Sequence, residues 1–405
     1  MNYEKTTIGL HCTVTSSKRF HASERTKDGV PFYCSKEIIK KVNGEKITEC
    51  DYISEDAYNR VKEEYGVPQT GDLLITTRGT YGIPYIYKEY DKFYFADGNL
   101  TWLKDFDDKL DAEYLYYWIN SYEGQKKIDA IAKGTAQKAV PIALLKEIEI
   151  VIPENPIQKK VVVILKNYDQ LIENNKKQIK LLEEAAQRLY KEWFIDLRFP
   201  RYENCKIVDG MPESWIQKKI SDLGEIITGK TPSTSKEQYY GGNIPFIKIP
   251  DMHGCVFPIT TEVTLTNEGA NTQKNKYIPK NGIMVSCIAT VGLVNIAIEL
   301  CQTNQQINSI ILNNEQDLYY VYSSMKRLKE LLEGVGSNGA TMTNVNKTKF
   351  GNIEVVYPND ELRKLYYDYC KPIFEKIYAL SRNIKKLSQV RECLLPKLMS
   401  GEIEV

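Results

Sequence analysis

The chain is poor in histidine and has no paired cysteines. Its 405 residues include three histidines, His11, His21 and His253, and nine scattered cysteines without a Cys-x-x-C pair. Zinc sites need closely spaced Cys and His ligands, so the sequence argues against a zinc protein. With so few histidines, a Ser/His/Asp hydrolase is a weak alternative. An odd number of unclustered cysteines is typical of reduced thiols, and we therefore expect a cytoplasmic protein.

Long apolar runs and a marked net charge are also absent. No run of about eighteen apolar residues occurs, and Met1–Leu10 lacks the apolar core of a secretory signal, so we expect no membrane partner. The formal net charge is +1, and composition alone therefore does not indicate a nucleic-acid-binding protein. Local stripes of Lys and Arg can still contact phosphates. At 405 residues the chain is too long for one ordinary core, which predicts two or more domains.

Signatures of catalysis are missing or poorly placed. Gly224–Thr231 matches the P-loop pattern, but its flanks, QKKISDL and PSTSKEQYYGG, do not indicate a buried strand followed by an amphipathic helix. Asn155–Gln158 resembles an adenine-methylation loop only in its first two letters, and no Gly-x-Gly-x-x-Gly follows a strand. No compact nuclease cluster of Asp, Glu and Lys is visible. A nucleotide-binding enzyme that uses Gly224–Thr231 therefore remains only as an alternative.

What the sequence does contain is a long helical pattern from Pro156 to about Phe199. Apolar residues recur at steps of three and four, and the pattern breaks once near Asn174–Lys177. Such spacing is a heptad seam with a stutter. The seam residues are Ile157, Val161, Ile164, Tyr168, Leu171, Ile179, Leu182, Ala186, Leu189 and Trp193. A helix of about 42 residues would be roughly 60 Å long, and its apolar stripe requires a partner helix.

An internal repeat supplies that partner. Gly71–Gly82 (GDLLITTRGTYG) recurs as Asn281–Gly292 (NGIMVSCIATVG), and Ala96–Leu103 recurs as Thr303–Ile310. The order of the matching segments is the same in both copies, which is typical of a duplicated unit. A second long helical pattern follows the second copy, at Asp360–Met399. The chain is therefore predicted to run unit, long helix, unit, long helix.

Each repeated unit is predicted to be rich in strands. The segments LLITT, YGIPYIYKEY, KFYFA and EIEIVIP are short and dominated by β-branched and aromatic residues. Short helices are expected at Ala112–Lys127 and Asp317–Glu333, where apolar residues recur at helical spacing. The predicted fold class is therefore α+β, with two separate cores.

Polar and basic residues on the loops between strands are the candidate binding residues. Arg78 and Thr80 lie in a tight turn after a strand, and the Gly-rich segments Lys133–Lys138 and Gly336–Thr341 are equivalent loops. Such residues can contact phosphates and base edges, although solvated turns are an equally good explanation. The DNA-binding candidates are Arg78, Thr80, Lys133, Thr135, Gln137, Lys138, Lys230, Thr231, Ser233, Lys248, Asn338, Thr341, Asn344, Asn346 and Lys347.

The chain resembles a known family over essentially its whole length. The most telling segments are Ile226–Ser233 with Tyr239–Ile247, Gly71–Gly82, Thr303–Ile307, and the helix ends LLEEAAQRLYKEWF and LSQVRECLLPKLMSGEI. Together with the repeat, they make the chain similar to the specificity (S) subunits of type I restriction–modification systems.

This resemblance implies a domain arrangement. Two target-recognition domains, at 1–155 and 211–358, would alternate with long helices at 156–199 and 359–405, and a connector would lie at 200–210. The helices would pair as an antiparallel coiled coil, which gives the chain an internal pseudo-twofold repeat. Their length would set the unread spacer between two half-sites.

The resemblance also implies a function without catalysis by this chain. Each domain would read half of a bipartite, asymmetric sequence in double-stranded DNA. Two adenine-N6 methyltransferase subunits and ATP-dependent restriction subunits would be directed there, and these partners would use S-adenosylmethionine, ATP and Mg²⁺. Leu181, Tyr190, Phe194 and Leu395 lie off the heptad seam and are candidates for methyltransferase docking. An assembly scaffold without DNA contacts remains the other alternative.

Overall fold

The computed structural model describes residues 3–134, 138–328 and 345–405, and it divides into two compact units. Unit 1 comprises Met1–Gln170 and Leu387–Val405, and unit 2 comprises Leu171–Lys386. Each unit therefore contains one globular part and a portion of each long helix. Five of the candidate binding residues lie outside the described residues, namely Thr135, Gln137, Asn338, Thr341 and Asn344.

The described residues of unit 1 form nine short strands. They are β1 (Tyr3–Thr7), β2 (Thr13–Thr15), β3 (Val30–Tyr33), β4 (Asp51–Ile53), β5 (Leu73–Thr76), β6 (Pro84–Ile86), β7 (Tyr94–Phe95), β8 (Leu100–Lys104) and β9 (Glu149–Pro153). A four-stranded sheet has the order β2-β8-β5-β6, a three-stranded sheet has the order β4-β3-β7, and β1 pairs with β9. Strand β5 is buried along its whole length, as its run of Leu, Ile and Thr predicts.

In the same described part of unit 1, six shorter helices accompany these strands. They are α1 (Ile8–His11), α2 (Ser35–Val42), α3 (Glu55–Glu64), α4 (Ala112–Asn120), α5 (Tyr122–Ile131) and α6 (Ile142–Lys146). The single helix predicted at Ala112–Lys127 is two helices, because Ser121 interrupts it and caps α5 by accepting a hydrogen bond from the Gly124 amide at 3.1 Å. A side chain at position 124 would lie 2.1 Å from the Trp118 carbonyl oxygen, so the corner requires glycine.

The first long helix, α7, spans Asn155–Phe194. Its start agrees with the prediction, but it ends before Phe199. Leu197 adopts a left-handed backbone conformation with φ of 57°, and the Arg198 amide bonds the Glu192 carbonyl at 2.7 Å. A left-handed residue cannot continue an α-helix, and this reversal ends the helix early.

Unit 2 repeats the topology of unit 1. Its strands, together with the hairpin β10–β11 that precedes them, are β10 (Ile207–Val208), β11 (Met211–Pro212), β12 (Ile216–Lys219), β13 (Gly224–Thr228), β14 (Tyr240–Ile247), β15 (Val263–Leu265), β16 (Ile283–Ser286), β17 (Val294–Ile296), β18 (Gln302–Thr303), β19 (Ile307–Leu312) and β20 (Glu354–Tyr357). The sheet orders β13-β19-β16-β17 and β15-β14-β18, with the pair β12–β20, match those of unit 1. Even the register agrees, since Leu73 pairs with Leu103 in unit 1 and Ile283 with Ile310 in unit 2. The predicted repeat is confirmed.

The described helices of unit 2 follow the order of α1–α4, α6 and α7 in unit 1. They are α8 (Ile220–Leu223), α9 (Ile249–Met252), α10 (Asn267–Asn271), α11 (Leu318–Lys326), α12 (Lys347–Gly351) and the second long helix, α13 (Asp360–Ser400). Single 3-10 turns lie at Ala22–Glu24, Tyr202–Asn204, Glu237–Tyr239, Lys274–Lys276 and Glu315–Asp317. The helix predicted at Asp317–Glu333 corresponds to α11, and the end of that prediction lies outside the described residues.

The two long helices pair in an antiparallel direction within each unit. In unit 1, Asp169 of α7 forms a 2.6 Å ion pair with Arg391 near the end of α13. In unit 2, Trp193 near the end of α7 stacks edge-on with Tyr366 near the start of α13, with ring centroids 5.7 Å apart. Each helix therefore contributes to both cores. In the described part of the chain, no helix has an apolar stretch long enough to cross a membrane.

Candidate nucleic-acid interface

In unit 1, three connecting segments meet where the strands of the central sheet end. The Thr77 amide bonds the Asn99 carbonyl at 2.8 Å, and the Val140 amide bonds the Thr77 carbonyl at 2.9 Å. These bonds join the turn after β5, the turn between β7 and β8, and the segment before α6. We call this surface platform 1; its members are Lys18–Arg19, Arg78–Tyr81, Ala96–Asn99 and the described part of 133–140.

Platform 1 brings together four predicted binding residues. Arg78, Thr80, Lys133 and Lys138 are exposed, and both Arg78 and Lys133 bridge to Ala139 through the backbone. The cluster therefore offers several cationic side chains on one small surface, as phosphate binding requires.

An acidic residue orients one of these cations. Tyr81 donates a hydrogen bond to the Asp129 carboxylate, and Lys138 Nζ lies 3.4 Å from Asp129 Oδ1. The hydrogen bond from Tyr81, followed by that from Lys138, lowers the pKa of Asp129. The hydrogen bond to Asp129 raises the pKa of Lys138. Lys138 thus stays charged at neutral pH.

Two basic residues of platform 1 were not among the predicted residues. Arg19 Nε donates to Asp97 Oδ2 at 2.8 Å, and Lys18 Nζ lies 4.8 Å from the centre of the Tyr65 ring. The repeat could have revealed them. Val14 pairs with Leu103 in unit 1, and Ile226 pairs with Ile310 in unit 2, so Val14 and Ile226 occupy equivalent positions. Four residues further along each chain segment, Lys18 lies at the position of Lys230.

Unit 2 carries the equivalent surface, built with the same backbone bonds. The Cys287 amide bonds the Gln306 carbonyl at 2.8 Å, and the Val345 amide bonds the Cys287 carbonyl at 2.8 Å. We call this surface platform 2; its members are Lys230–Thr231, Ile288–Thr290, Thr303–Gln306 and Val345–Lys347. Ala289 has φ of 65° where Gly79 has φ of 74°, so the two turns share one backbone shape.

The remaining predicted residues of unit 2 differ in their surroundings. Lys230 and Lys347 are exposed on platform 2. Lys248 Nζ forms a 2.9 Å ion pair with Glu262. The residue before it, Ile247, accepts a hydrogen bond from the Asn304 amide through its carbonyl, which places Lys248 next to platform 2. Asn346 caps α12 by accepting from the Lys349 amide at 2.9 Å, so its carboxamide oxygen has a structural role. Ser233 is exposed and lies 2.9 Å from the Ser235 hydroxyl.

The segment that matches the P-loop pattern has another explanation. Gly224–Thr228 is strand β13, and no helix follows Thr231 before the single turn Glu237–Tyr239. A side chain at Gly229 would come within 2.2 Å of the Asn304 carbonyl oxygen. Glycine therefore lets the chain pass close to the turn Thr303–Gln306, and the segment lacks the geometry that binds phosphate at a helix start.

The predicted docking residues do not share one environment. Leu181 is 64% exposed, whereas Tyr190 and Phe194 are each 6% exposed and belong to the core of unit 2. The docking prediction is wrong for Tyr190 and Phe194, because the globular part of their own unit covers them. Leu395 is partly buried against the core of unit 1. Leu181 and Leu395 stay predictions.

No metal site is apparent in the part of the chain that the structure describes. Groups of three or more His, Cys, Asp or Glu residues with a suitable arrangement are absent there. The two platforms instead present exposed cations and amides, which suit contacts with phosphates and base edges.

Comparison with known proteins agrees with this chemistry. The family model described as type I restriction modification DNA specificity domain matches residues 2–184 and 212–389. The HindI specificity subunit of Haemophilus influenzae is 33% identical, and the match covers 72% of this chain and 77% of that protein. The MjaIX specificity subunit of Methanocaldococcus jannaschii is 27% identical, with 83% and 78% covered.

A solved structure shares the fold. The S subunit of a type I restriction–modification system from M. genitalium superposes with a TM-score of 0.60 at 16% identity, and the match covers 98% of this chain and 96% of that one. The duplicated family match coincides with the duplicated topology described above. The chain therefore belongs to the family of type I restriction–modification specificity subunits, the non-catalytic components that recognise DNA in these complexes.

Proposed function

We propose that each unit reads one half of a bipartite, asymmetric sequence in double-stranded DNA. One observation carries this proposal: the two platforms share their backbone hydrogen bonds but differ at several side chains. Arg78 in platform 1 corresponds to Ile288 in platform 2, and Gly98 corresponds to Gln305. Different side chains on one backbone frame would contact different bases, and the two half-sites would therefore differ in sequence.

Exposed cations would hold the duplex at each platform. Lys18, Arg78 and Lys133 in unit 1, with Lys230 and Lys347 in unit 2, are exposed and available to phosphates. Phosphate contacts fix the register of a protein on DNA, and base contacts then select the sequence. A formal net charge of +1 is compatible with this arrangement because only local stripes of charge are needed.

The chemistry itself would belong to partner subunits. We propose that two adenine-N6 methyltransferase subunits, using S-adenosylmethionine, and ATP-dependent restriction subunits, using ATP and Mg²⁺, assemble with this chain. Methylation of a base in a duplex requires that the base be flipped out, which would be the work of the methyltransferase. The exposed Leu181 side chain on α7 supports docking of such a partner on the long helix.

Methylation profiling tests the proposal directly. The chain is expressed with its cognate methyltransferase in a host that lacks other adenine methylation, and the genome is sequenced for N6-methyladenine with and without this chain. We expect one split motif that requires the chain. A scaffold without DNA contacts predicts a motif that persists when both platforms are altered, and this result would exclude the proposed role.

A further inference from the structure

Platform 2 contains a turn that is fixed from three sides. The Lys230 amide bonds the Thr303 carbonyl at 2.9 Å, the Asn304 amide bonds the Ile247 carbonyl at 3.2 Å, and the Cys287 amide bonds the Gln306 carbonyl at 2.8 Å. The ends of β13, β14 and β16 thereby hold the turn Thr303–Gln306. A side chain on such a turn is positioned before any ligand arrives, which is what sequence reading requires.

The exposed amide on this turn, that of Gln305, has a free donor. Thr231 Oγ1 donates to Gln305 Oε1 at 2.8 Å, which fixes the orientation of the Gln305 carboxamide. Gln305 is exposed, and its Nε2 has no hydrogen-bond partner among the described residues. The neighbouring carboxamides bond to each other, because Asn304 Nδ2 donates to Gln306 Oε1 at 2.9 Å. Gln305 therefore presents an oriented N–H₂ group and a second lone pair on Oε1.

A second layer of amides lies beneath this residue. Gln273 and Gln302 are buried, and Gln273 Nε2 donates both to the Lys230 carbonyl and to Gln302 Oε1, each at 2.7 Å. This layer fixes the backbone at Lys230, the residue before Thr231. The support is therefore continuous from the core of the domain to the hydroxyl that orients Gln305.

We infer that Gln305 reads an adenine–thymine base pair in the half-site bound by unit 2, with Thr231 as its positioning residue. The inference rests on the proposed function. In the major groove, adenine presents the N7 acceptor and the N6 amino donor, and a glutamine carboxamide matches both in a bidentate contact. The exposed Lys230 beside it is placed to contact a phosphate. Platform 1 has Gly98 at the equivalent position, so only one half-site depends on this contact.

The test uses methylation profiling with the full chain and its methyltransferase. We expect Gln305→Ala to relax one A·T position in one half-site, so that sites with that single mismatch are methylated about 10- to 100-fold faster than with the wild type. The other half-site and the spacer stay unchanged. Gln217→Ala, an exposed glutamine on β12, is the matched control and leaves the motif intact.

Two further variants separate reading from structural support. Gln305→Glu keeps the acceptor for Thr231 but loses the amino donor, and we expect it to disfavour adenine at the same position. We expect Thr231→Val, which lacks the hydroxyl, to weaken discrimination at that position. Thr231→Ser, which keeps the hydroxyl, should discriminate as the wild type does. If Gln305 and Thr231 only support the structure, Gln305→Glu and Thr231→Ser should behave alike. Any loss of base discrimination should then spread over all positions of the motif.

The outcomes are distinguishable from a failure of the proposed function. If the wild-type chain yields no split motif, the proposed function itself is wrong. If the wild type yields a split motif and Gln305→Ala leaves every position unchanged, or changes both half-sites equally, only the assignment of Gln305 is overturned.

Discussion

At the scale of single residues, unit 1 contains a buried histidine held between two partners. His11 Nε2 lies 2.8 Å from the Thr6 hydroxyl, and Nδ1 lies 2.8 Å from Asp107 Oδ2. Neutral imidazole satisfies both contacts by accepting from Thr6 and donating to Asp107. Burial opposes ionisation of Asp107, but the hydrogen bonds from His11 and from the amides of Lys109 and Leu110 outweigh it and lower the pKa of this carboxyl. The arrangement links α1 to the segment before α4.

We expect Asp107→Asn to destabilise unit 1 in a pH-dependent way. Because the pKa of Asp107 is lowered in the folded state, its contribution is present above the ordinary value of 3.8 and is lost as the pH falls through the folded pKa. The carboxylate is partly exposed, so the cost at pH 7 is about 1 kcal/mol. Hydrogen exchange of the unit 1 core amides in the wild type and in Asp107→Asn, at pH 7, 5 and 3.5, measures this loss of stability. A cost that does not shrink in acid would contradict this explanation.

A single lysine on platform 1 should control the salt dependence of DNA binding. Lys133 bonds Ala139 through its backbone, so Lys133→Ala removes the charge and keeps these two backbone bonds. Losing one phosphate contact lowers the slope of log K against log salt by about 0.9 and weakens binding to all sequences alike. Titrations of the assembled complex between low and moderate salt measure this slope. The control is Lys5→Ala, on the β1–β9 ribbon, which should leave the slope unchanged. Equal slopes for the wild type, Lys133→Ala and Lys5→Ala would exclude a phosphate contact by Lys133.

At the scale of elements, helix α7 has one covered and one uncovered side. The Phe194 ring packs on Tyr320 with centroids 4.8 Å apart, on Tyr366 at 5.0 Å and on Trp215 at 5.9 Å. Leu181, on the same helix, is 64% exposed. The same element therefore serves as part of the unit 2 core and as an available surface.

Alanine substitution on the two sides of α7 should have unequal effects. Phe194→Ala removes a buried ring and leaves a cavity, which costs roughly 3–5 kcal/mol in the free energy of unfolding of unit 2. Leu181→Ala should change it by less than about 0.5 kcal/mol. Chemical denaturation followed by tryptophan fluorescence compares the two variants. Similar costs at both positions would contradict the burial described for this helix.

Leu181 should instead affect the association with a methyltransferase. Leu181→Asp places a charge on an apolar contact, and we expect the dissociation constant for the methyltransferase subunit to rise at least about tenfold, since each 1.4 kcal/mol corresponds to that factor. Sedimentation or light scattering of the mixed subunits gives the measurement. Lys180→Gln, on the adjacent exposed residue, changes the net charge by the same single unit and controls for the charge change alone. An unaltered constant would remove Leu181 from the docking surface.

The sequence predicted the elements that depend on periodicity and repetition. Heptad spacing located α7 and α13, and the match between Gly71–Gly82 and Asn281–Gly292 located two equivalent strands and their turns. It did not predict the early end of α7, because a left-handed Leu197 has no distinctive composition. Tyr190 and Phe194 were misassigned because helical spacing cannot tell which face a distant segment will cover. Gln305 was overlooked because its orientation depends on Thr231, which is far from it in the chain.

At the scale of the whole molecule, each long helix contributes to both units. The division between the units falls between Gln170 and Leu171 in α7 and between Lys386 and Leu387 in α13. Each globular part therefore keeps its own stretch of helix pair. This makes the length of the paired helices a property that can be altered without changing either platform.

Lengthening both helices should alter the spacer and nothing else. One heptad inserted after Gln170 and one after Lys386 preserve the apolar seam and lengthen the pair by about 10 Å. We expect methylation profiling to show the same two half-sites with about three additional unread base pairs, at about 3.4 Å each. An insertion in only one helix disturbs the pairing and should abolish methylation. An unchanged spacer with both insertions would refute this role for the helices.

Unit 1 consists of two segments of the chain and unit 2 of one, and this difference affects the order in which they can fold during synthesis. Domains generally fold in the order in which they leave the ribosome. Unit 2 is one continuous segment, Leu171–Lys386, whereas unit 1 also needs Leu387–Val405, whose Leu398 and Met399 lie in its core. The unit that is translated first is thus the last to receive all its parts. We expect nascent chains to acquire protease resistance in unit 2 before unit 1, because unit 1 is complete only after the final turns of α13 have been made.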